Sequence, residues 1–151
     1  MKFLSGKEAA QYLENIVYAK KQVHKYCVDL TVARIYKLTG GGSLDFGGGE
    51  YKESDKKVLK PKKKNVEDDY GWWNLDRGSY LVKFNERFTI APGQKALVQS
   101  HPRFVKAGAV HPVLYTEASG EIVISVQILT RLNIKENARI SELRIIETDQ
   151  I

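Results

Sequence analysis

The sequence predicts a mainly β fold, a sandwich, jelly roll or barrel, preceded by one N-terminal helix. Beyond residue 72, short apolar stretches with period-two alternation recur about every ten residues, separated by Gly, Pro, Ser and Asp. Ahead of them, Ser5 is followed three residues later by Glu8, the pair that satisfies free amide donors at a helix start. With 151 residues, 42% of them hydrophobic, the chain can fill one core.

The helix comes first. Ala9, Ala10, Tyr12, Leu13, Ile16 and Val17 recur at helical spacing and predict a helix over about residues 6 to 18. The first strand follows, where Val28, Leu30 and Val32 alternate with Asp29, Thr31 and Ala33, and Ile35-Tyr36 continue the apolar content. Residues 39 to 71 break the pattern. Two Gly triplets, Gly40 to Gly42 and Gly47 to Gly49, lead into six lysines within Lys56 to Lys64. This predicts a long loop or arm, with a short hairpin at its Gly-rich start, inserted within a single domain spanning 1–151. A phosphate-cradling P-loop is not expected, because no Gly-Lys-Ser/Thr opens a helix there.

The remaining strands are read from their punctuation. Asp76-Arg77-Gly78 introduces Tyr80 to Ile90, and Pro92-Gly93 suits a type II turn before Lys95 to Gln99. Gly108, Pro112 and Ser119-Gly120 divide the next pieces. Ile122, Ile124, Val126 and Ile128 alternate with their neighbours, and Ile140 to Ile146 forms the last strand. No internal repeat is present.

Several classes are excluded. No run of eighteen apolar residues exists, and Met1-Lys2-Phe3-Leu4 passes directly into polar residues, so neither a spanning helix nor a secretory signal is expected. The single cysteine, Cys27, cannot form an intramolecular disulfide. With only His24, His101 and His111 beside it, the common four-ligand zinc sites are also excluded. The expected compartment is the cytoplasm. A net charge of +6 points to polyanionic partners, nucleotides or nucleic acid, without choosing between them.

In this order the pieces resemble the dUTPase and dCTP deaminase superfamily. Trp72-Trp73-Asn74-Leu75-Asp76-Arg77-Gly78-Ser79-Tyr80-Leu81-Val82 is similar to that family's "Leu-x-Pro-Gly-x-(aromatic)" entry strand. Glu86-Arg87-Phe88-Thr89-Ile90-Ala91-Pro92 resembles its "Glu-x-(apolar)-x-(apolar)-Pro" continuation. Ser119-Gly120-Glu121-Ile122-Val123-Ile124 resembles "Gly-x-Ile-x-Leu", and Ala138-Arg139-Ile140-Ser141-Glu142-Leu143 resembles the closing "Arg-Ile-Ala-Gln-Leu" strand. Phe3-Leu4-Ser5-Gly6-Lys7-Glu8 and Val28-Asp29-Leu30 fit the deaminase-like branch, in which a capped helix precedes a "Val-Asp-Leu" strand.

The resemblance implies a distorted jelly roll (β-clip), assembled as a homotrimer with nucleotide sites between subunits. It also implies a hydrolase that splits dUTP to dUMP and pyrophosphate with magnesium. The family's "Pro-Arg-Ser-Ser-Leu-x-Arg-x-Gly" maps onto Pro102-Arg103-Phe104-Val105-Lys106-Ala107-Gly108, in which both serines are missing. Arg103 and Lys106 stand at the cationic positions and, with Ser100 and His111, make the implied substrate-binding set; guanidinium suits phosphate through its fork of donors. The other reading of His111, and the favoured one, is a half-buried structural histidine. The water-activating aspartate of "Gly-Val-Ile-Asp" falls near Tyr115, which leaves Glu117 as the nearby carboxylate able to act as catalytic general base. Asp29 matches the acidic motif that organises magnesium and its waters; the other reading of Asp29 is a polar residue on the exposed face of its strand. The deaminase glutamate aligns with Ser125, which argues against dCTP deamination. The family's phosphate-covering tail has no counterpart up to Ile151, so no lid is expected from these residues.

Three functions remain open at this level. The first is a dUTPase-superfamily protein that binds, and with its rearranged site hydrolyses, a deoxyuridine nucleotide. The second is a catalytically silent relative for nucleotide sensing or protein interaction. The third is a basic nucleic-acid-binding β protein using Lys56 to Lys64, with Tyr51, Tyr70, Trp72 and Trp73 as stacking platforms. Against the third stands a solvated arm whose charge is balanced by Glu67-Asp68-Asp69.

Overall fold

The computed structural model describes residues Met1 to Thr148. In chain order the elements are β1 (Lys2–Phe3), α1 (Gly6–Ala10), β2 (Leu13–Glu14), α2 (Ala19–Gln22), β3 (Val28–Gly40), β4 (Asp55–Leu59), β5 (Trp72–Leu75), β6 (Gly78–Phe88), β7 (Gln94–Ser100), α3 (Pro102–Ala107), β8 (Ala109–Val110), β9 (Leu114–Thr116), β10 (Gly120–Ile128), β11 (Leu132–Lys135) and β12 (Arg139–Glu147). The main antiparallel sheet runs β8-β10-β6-β3-β12-β7-β9, with β1 on β12, β2 on β6 and β4 on β3, and β5 pairs with β11 in a separate two-stranded sheet. The apolar core lies between these layers and includes Leu30, Ile35, Leu75, Phe84, Ile122 and Leu143. No helix among the described residues is long and apolar enough to cross a membrane.

Period-two patterning translates directly into burial on β6, where Tyr80, Val82, Phe84, Glu86 and Phe88 point inward and the residues between them are less covered. The polar member of that row is fully supplied with donors. Glu86 accepts from the Thr31 amide at 2.7 Å, the Thr31 hydroxyl at 2.6 Å and Gln22 Nε2 at 2.9 Å. The Pro92-Gly93 turn is as expected, with Gly93 at φ 79 and the Gln94 amide donating to Ala91 O at 3.0 Å.

The N-terminal helix is much shorter than its periodicity predicts. The capping box at Ser5 and Glu8 forms, but α1 ends at Ala10. Tyr12 O then accepts from the Thr89 amide and Leu13 pairs with Phe88, so the helical periodicity of Tyr12, Leu13, Ile16 and Val17 yields to the edge of β6. A helix of one turn gains little from propagation, and strand pairing outweighs it. Asn15, at φ 66, makes the turn that follows. The described residues also contain two further short helices, α2 and α3, where one helix was expected.

The 39–71 segment is partly built onto the sheet. β3 continues to Gly40, beyond the predicted strand, and β4 returns along it in register Ile35↔Leu59 to Gly40↔Asp55. Ser43 and Lys52 bridge the Gly-rich tip.

Candidate functional site

The β3/β12 register sets Glu142 opposite Asp29 and Arg139 opposite Thr31. Two motifs about 110 residues apart in sequence therefore meet in one place. β3 is buried on both faces from Val28 to Val32, so Asp29 is wholly buried rather than on an exposed strand face. A buried carboxylate requires partners. Its Oδ2 accepts from His24 Nε2 at 2.8 Å and from Arg139 Nη1 at 3.1 Å. Arg139 also donates to Lys21 O at 2.9 Å, which ties α2 to the closing strand.

Oδ1 of Asp29 is different, since it is buried and has no hydrogen-bond partner. His101 Nε2 stands 3.9 Å from it. That nitrogen carries a hydrogen in the neutral ring, because Nδ1 accepts from the Arg103 amide at 3.0 Å. Behind Asp29, the Cys27 thiol lies 3.5 Å from Glu142 Oε2, and burial together with the Glu142 charge pushes it up to about 11. One ligand atom from each of Cys27, Asp29 and Glu142 falls within 4.8 Å of the others.

His101 is also the N-cap of α3, followed by Pro102 at the position where a missing amide hydrogen costs nothing. The helix turns Phe104 inward, 6.0 Å from the His111 ring, and leaves Arg103 and Lys106 exposed. At spacing i,i+3 these two cations are neighbours on one side of the helix. Arg103 lines a shallow groove of about 240 Å³ together with Arg139, Lys135, Trp72 and the apolar Leu132 and Ile134. Three cations and an indole around an apolar floor suit a ligand with phosphates and a flat ring.

Ser100 and His111 lie behind α3. The His111 amide donates to Ser100 Oγ at 3.1 Å, and Ser100 Oγ lies 3.3 Å from His111 O. His111 Nδ1 donates to Pro112 O at 2.8 Å, so its Nε2 accepts from the buried Ser141 hydroxyl at 2.7 Å. Both ring nitrogens are thereby used inside the chain, and burial holds the imidazole below its ordinary pKa of 6.5.

Glu117 sits elsewhere, after β9. It is exposed and pairs with Lys95 Nζ at 3.4 Å. Tyr115 and Glu117 together hold the Lys95 ammonium above its ordinary range. Lys95 is five residues along β7 from Ser100, a distance of roughly 16 Å at strand spacing. Within one chain, Glu117 and the Arg103 groove are therefore not brought together. Ser125 lines a separate cleft with Leu38, Tyr51 and Lys56.

Of these neighbours, His24, His101, Arg139 and Glu142 escape sequence reasoning as site residues. Arg139 and Glu142 were visible only as members of the closing-strand motif, and their link to Asp29 depends on register. His24 and His101 entered the sequence reading only in the count of possible zinc ligands.

No family model matches the chain. Two curated relatives, both named "Probable deoxyuridine 5'-triphosphate nucleotidohydrolase", come from Methanosarcina acetivorans and Methanosarcina mazei. Each is 30% identical over 135 residues, covering 87% of this chain and 75% of its own length. Among solved structures, the 2'-deoxycytidine 5'-triphosphate deaminase of Agrobacterium tumefaciens superposes with a TM-score of 0.67 at 14% identity, over 95% of this chain. The chain spans 46% of that deaminase's length. The fold is thus the dUTPase-like distorted jelly roll. From the identity and coverage of its relatives, the chain belongs to the dUTPase and dCTP deaminase superfamily.

Proposed function

We propose that the chain binds a deoxyuridine nucleotide in the Arg103–Arg139 groove and hydrolyses dUTP to dUMP and pyrophosphate. The observation that carries this reading is the groove itself, where Arg103, Lys135 and Arg139 surround an apolar floor beside Trp72 and Arg139 is bonded to the buried Asp29. The substrate class is the one for which the Methanosarcina relatives are named.

In the reaction, water adds to the α-phosphorus while the bond from that phosphorus to the α–β bridging oxygen breaks, and pyrophosphate leaves. Arg103 and Lys106 hold the phosphate chain and spread its charge. Asp29 fixes Arg139 toward the groove, so that the guanidinium is positioned before substrate arrives. Ser100 and His111 support this set from behind, by bracing the start of α3. Glu117 takes the proton of the attacking water. Since Glu117 lies far from Arg103 along β7, it serves a groove on a neighbouring subunit, as the homotrimer proposed for this chain allows.

The residues fit magnesium in one respect. Asp29 Oδ1 is a buried acceptor without a partner, and Oδ2 is already claimed by His24 and Arg139, so Asp29 would hold the ion through one of its waters. When bound, magnesium supplies charge neutralisation for the triphosphate.

A silent, nucleotide-sensing relative is the second reading. The Lys95–Glu117 pair favours it, because it already engages the carboxylate assigned to take the proton of the water. Pyrophosphate release from dUTP, followed in Arg103→Ala and Glu117→Gln, separates the two. Catalysis predicts that Glu117→Gln lowers turnover about a hundredfold to ten-thousandfold, and that Arg103→Ala acts chiefly on the Michaelis constant. Tight dUTP binding without cleavage selects the silent reading, and no dUTP binding removes both.

A further inference from the structure

A second cleft, of about 580 Å³, meets the Arg103 groove at Trp72 and Asn133. Its walls carry Lys60, Lys62, Lys63 and Lys64, together with Trp72 and Asn133. Lys62 and Trp72 exchange backbone hydrogen bonds at 2.9 and 2.8 Å, which fixes the indole against the lysine run. Lys64 Nζ stands 4.2 Å and Lys135 Nζ 5.5 Å from the Trp72 ring centroid. Trp73, by contrast, is buried and spends its indole hydrogen on Leu59 O. Only Trp72 presents its ring to the cleft as a half-exposed surface.

The acids that follow the run do not neutralise it. Asp68 accepts from the Asn65 amide at 3.0 Å, and among the described residues no salt bridge joins Glu67, Asp68 or Asp69 to any lysine. The four exposed lysines therefore line one cleft with no acid paired to them, a local excess of positive charge that attracts polyanions. The charge also continues beyond the cleft along β4, where Lys56 Nζ lies 4.8 Å over the Tyr36 ring.

From this arrangement we propose that the Lys60–Lys64 cleft binds single-stranded nucleic acid, one base lying on Trp72 and the flanking phosphates on the lysines. A base can reach the indole only if its own face is free, which a duplex denies it. One free nucleotide would leave Lys56 and Lys57 unused, whereas a strand extends to them. The cleft adjoins the Arg103 groove through Trp72 and Asn133, but its lysines belong to it alone, and the inference does not depend on dUTP hydrolysis.

The test uses the full chain with end-labelled oligothymidylate, and with an unlabelled duplex of equal length and thymidine monophosphate as competitors, following the anisotropy of the label for affinity and tryptophan fluorescence for stacking at several salt concentrations. Quenching is expected with the single strand, and weaker binding with the other two. Replacing Lys62, Lys63 and Lys64 together by Gln should lower the slope of log affinity against log salt by about two units, with the melting temperature and dUTP binding unchanged. Trp72→Ala should weaken binding about tenfold while keeping the slope, and Trp72→Phe should abolish the quenching while retaining affinity. Equal affinity for duplex or for the monophosphate, no quenching, or an unchanged slope in the folded triple variant would each overturn the proposal.

Discussion

His111 shows how a single side chain is committed by its surroundings. Its Nδ1 donates to Pro112 O and its Nε2 accepts from Ser141, an arrangement open only to the neutral ring. Burial holds its pKa below 6.5 in the fold, so the unfolded chain takes up a proton first as pH falls. The stability that His111 contributes is therefore present above pH 6.5 and is lost progressively below it. Glu86 acts with the opposite sign, because burial raises its pKa: its contribution is full below the ordinary carboxylate value and is lost as pH rises through the folded one. The comparison of wild type with His111→Gln isolates the histidine. Thermal unfolding should show a difference on the order of 1–3 kcal/mol above neutrality, narrowing as pH falls toward 5; a constant gap over that range would contradict this account.

At the scale of elements, the joint between α1 and the strand carrying Asp29 depends on a missing side chain. The Gly6 amide donates to Lys25 O at 2.8 Å, and a Cβ on Gly6 would overlap the His24 carbonyl oxygen. Gly6→Ala should lower stability by about 1–3 kcal/mol through overpacking. It should also loosen the His24–Cys27 turn. Cys27 is buried with a pKa of about 11, so it should resist alkylation in the wild type and react faster in the variant. Unchanged melting and unchanged alkylation would mean that the turn moves without cost.

Elements of this kind also mark how far the sequence could be read. The alternation on β6 and β10, the Ser5–Glu8 cap and the Pro92-Gly93 turn are local signals, and all three appear in the structure. The helix end was not legible, because the competitor for Leu13 is Phe88, 75 residues away. The site was legible in parts. Asp29 and Arg139 each stood in a recognisable motif, yet their contact follows from a β-bulge and a register that no local pattern encodes. The burial of Asp29 was likewise hidden, since alternation suggested an exposed face and only the packed chain covers both.

The whole molecule leaves one requirement open to measurement. Glu117 and the Arg103 groove lie apart in a single chain, so the proposed chemistry needs a second copy. Sedimentation at micromolar concentration should give a trimer, and mixing Arg103→Ala with Glu117→Gln protein should restore part of the activity lost by each alone. A monomer with full dUTP hydrolysis would remove the shared site.

The bond between Arg139 and Asp29 has a further meaning for how the molecule comes into being. It closes a loop of 110 residues, and Cys27 meets Glu142 across 115. Closures of that length form late and slow the folding of β proteins, because the chain must be ordered before the contact repays its entropy. On the ribosome, β3 emerges long before its partner β12 exists, and until then Asp29 lacks the guanidinium that accompanies it in the native state. The groove proposed for the nucleotide thus exists only once β12 has docked, and ligand affinity during refolding would serve as a clock for that step.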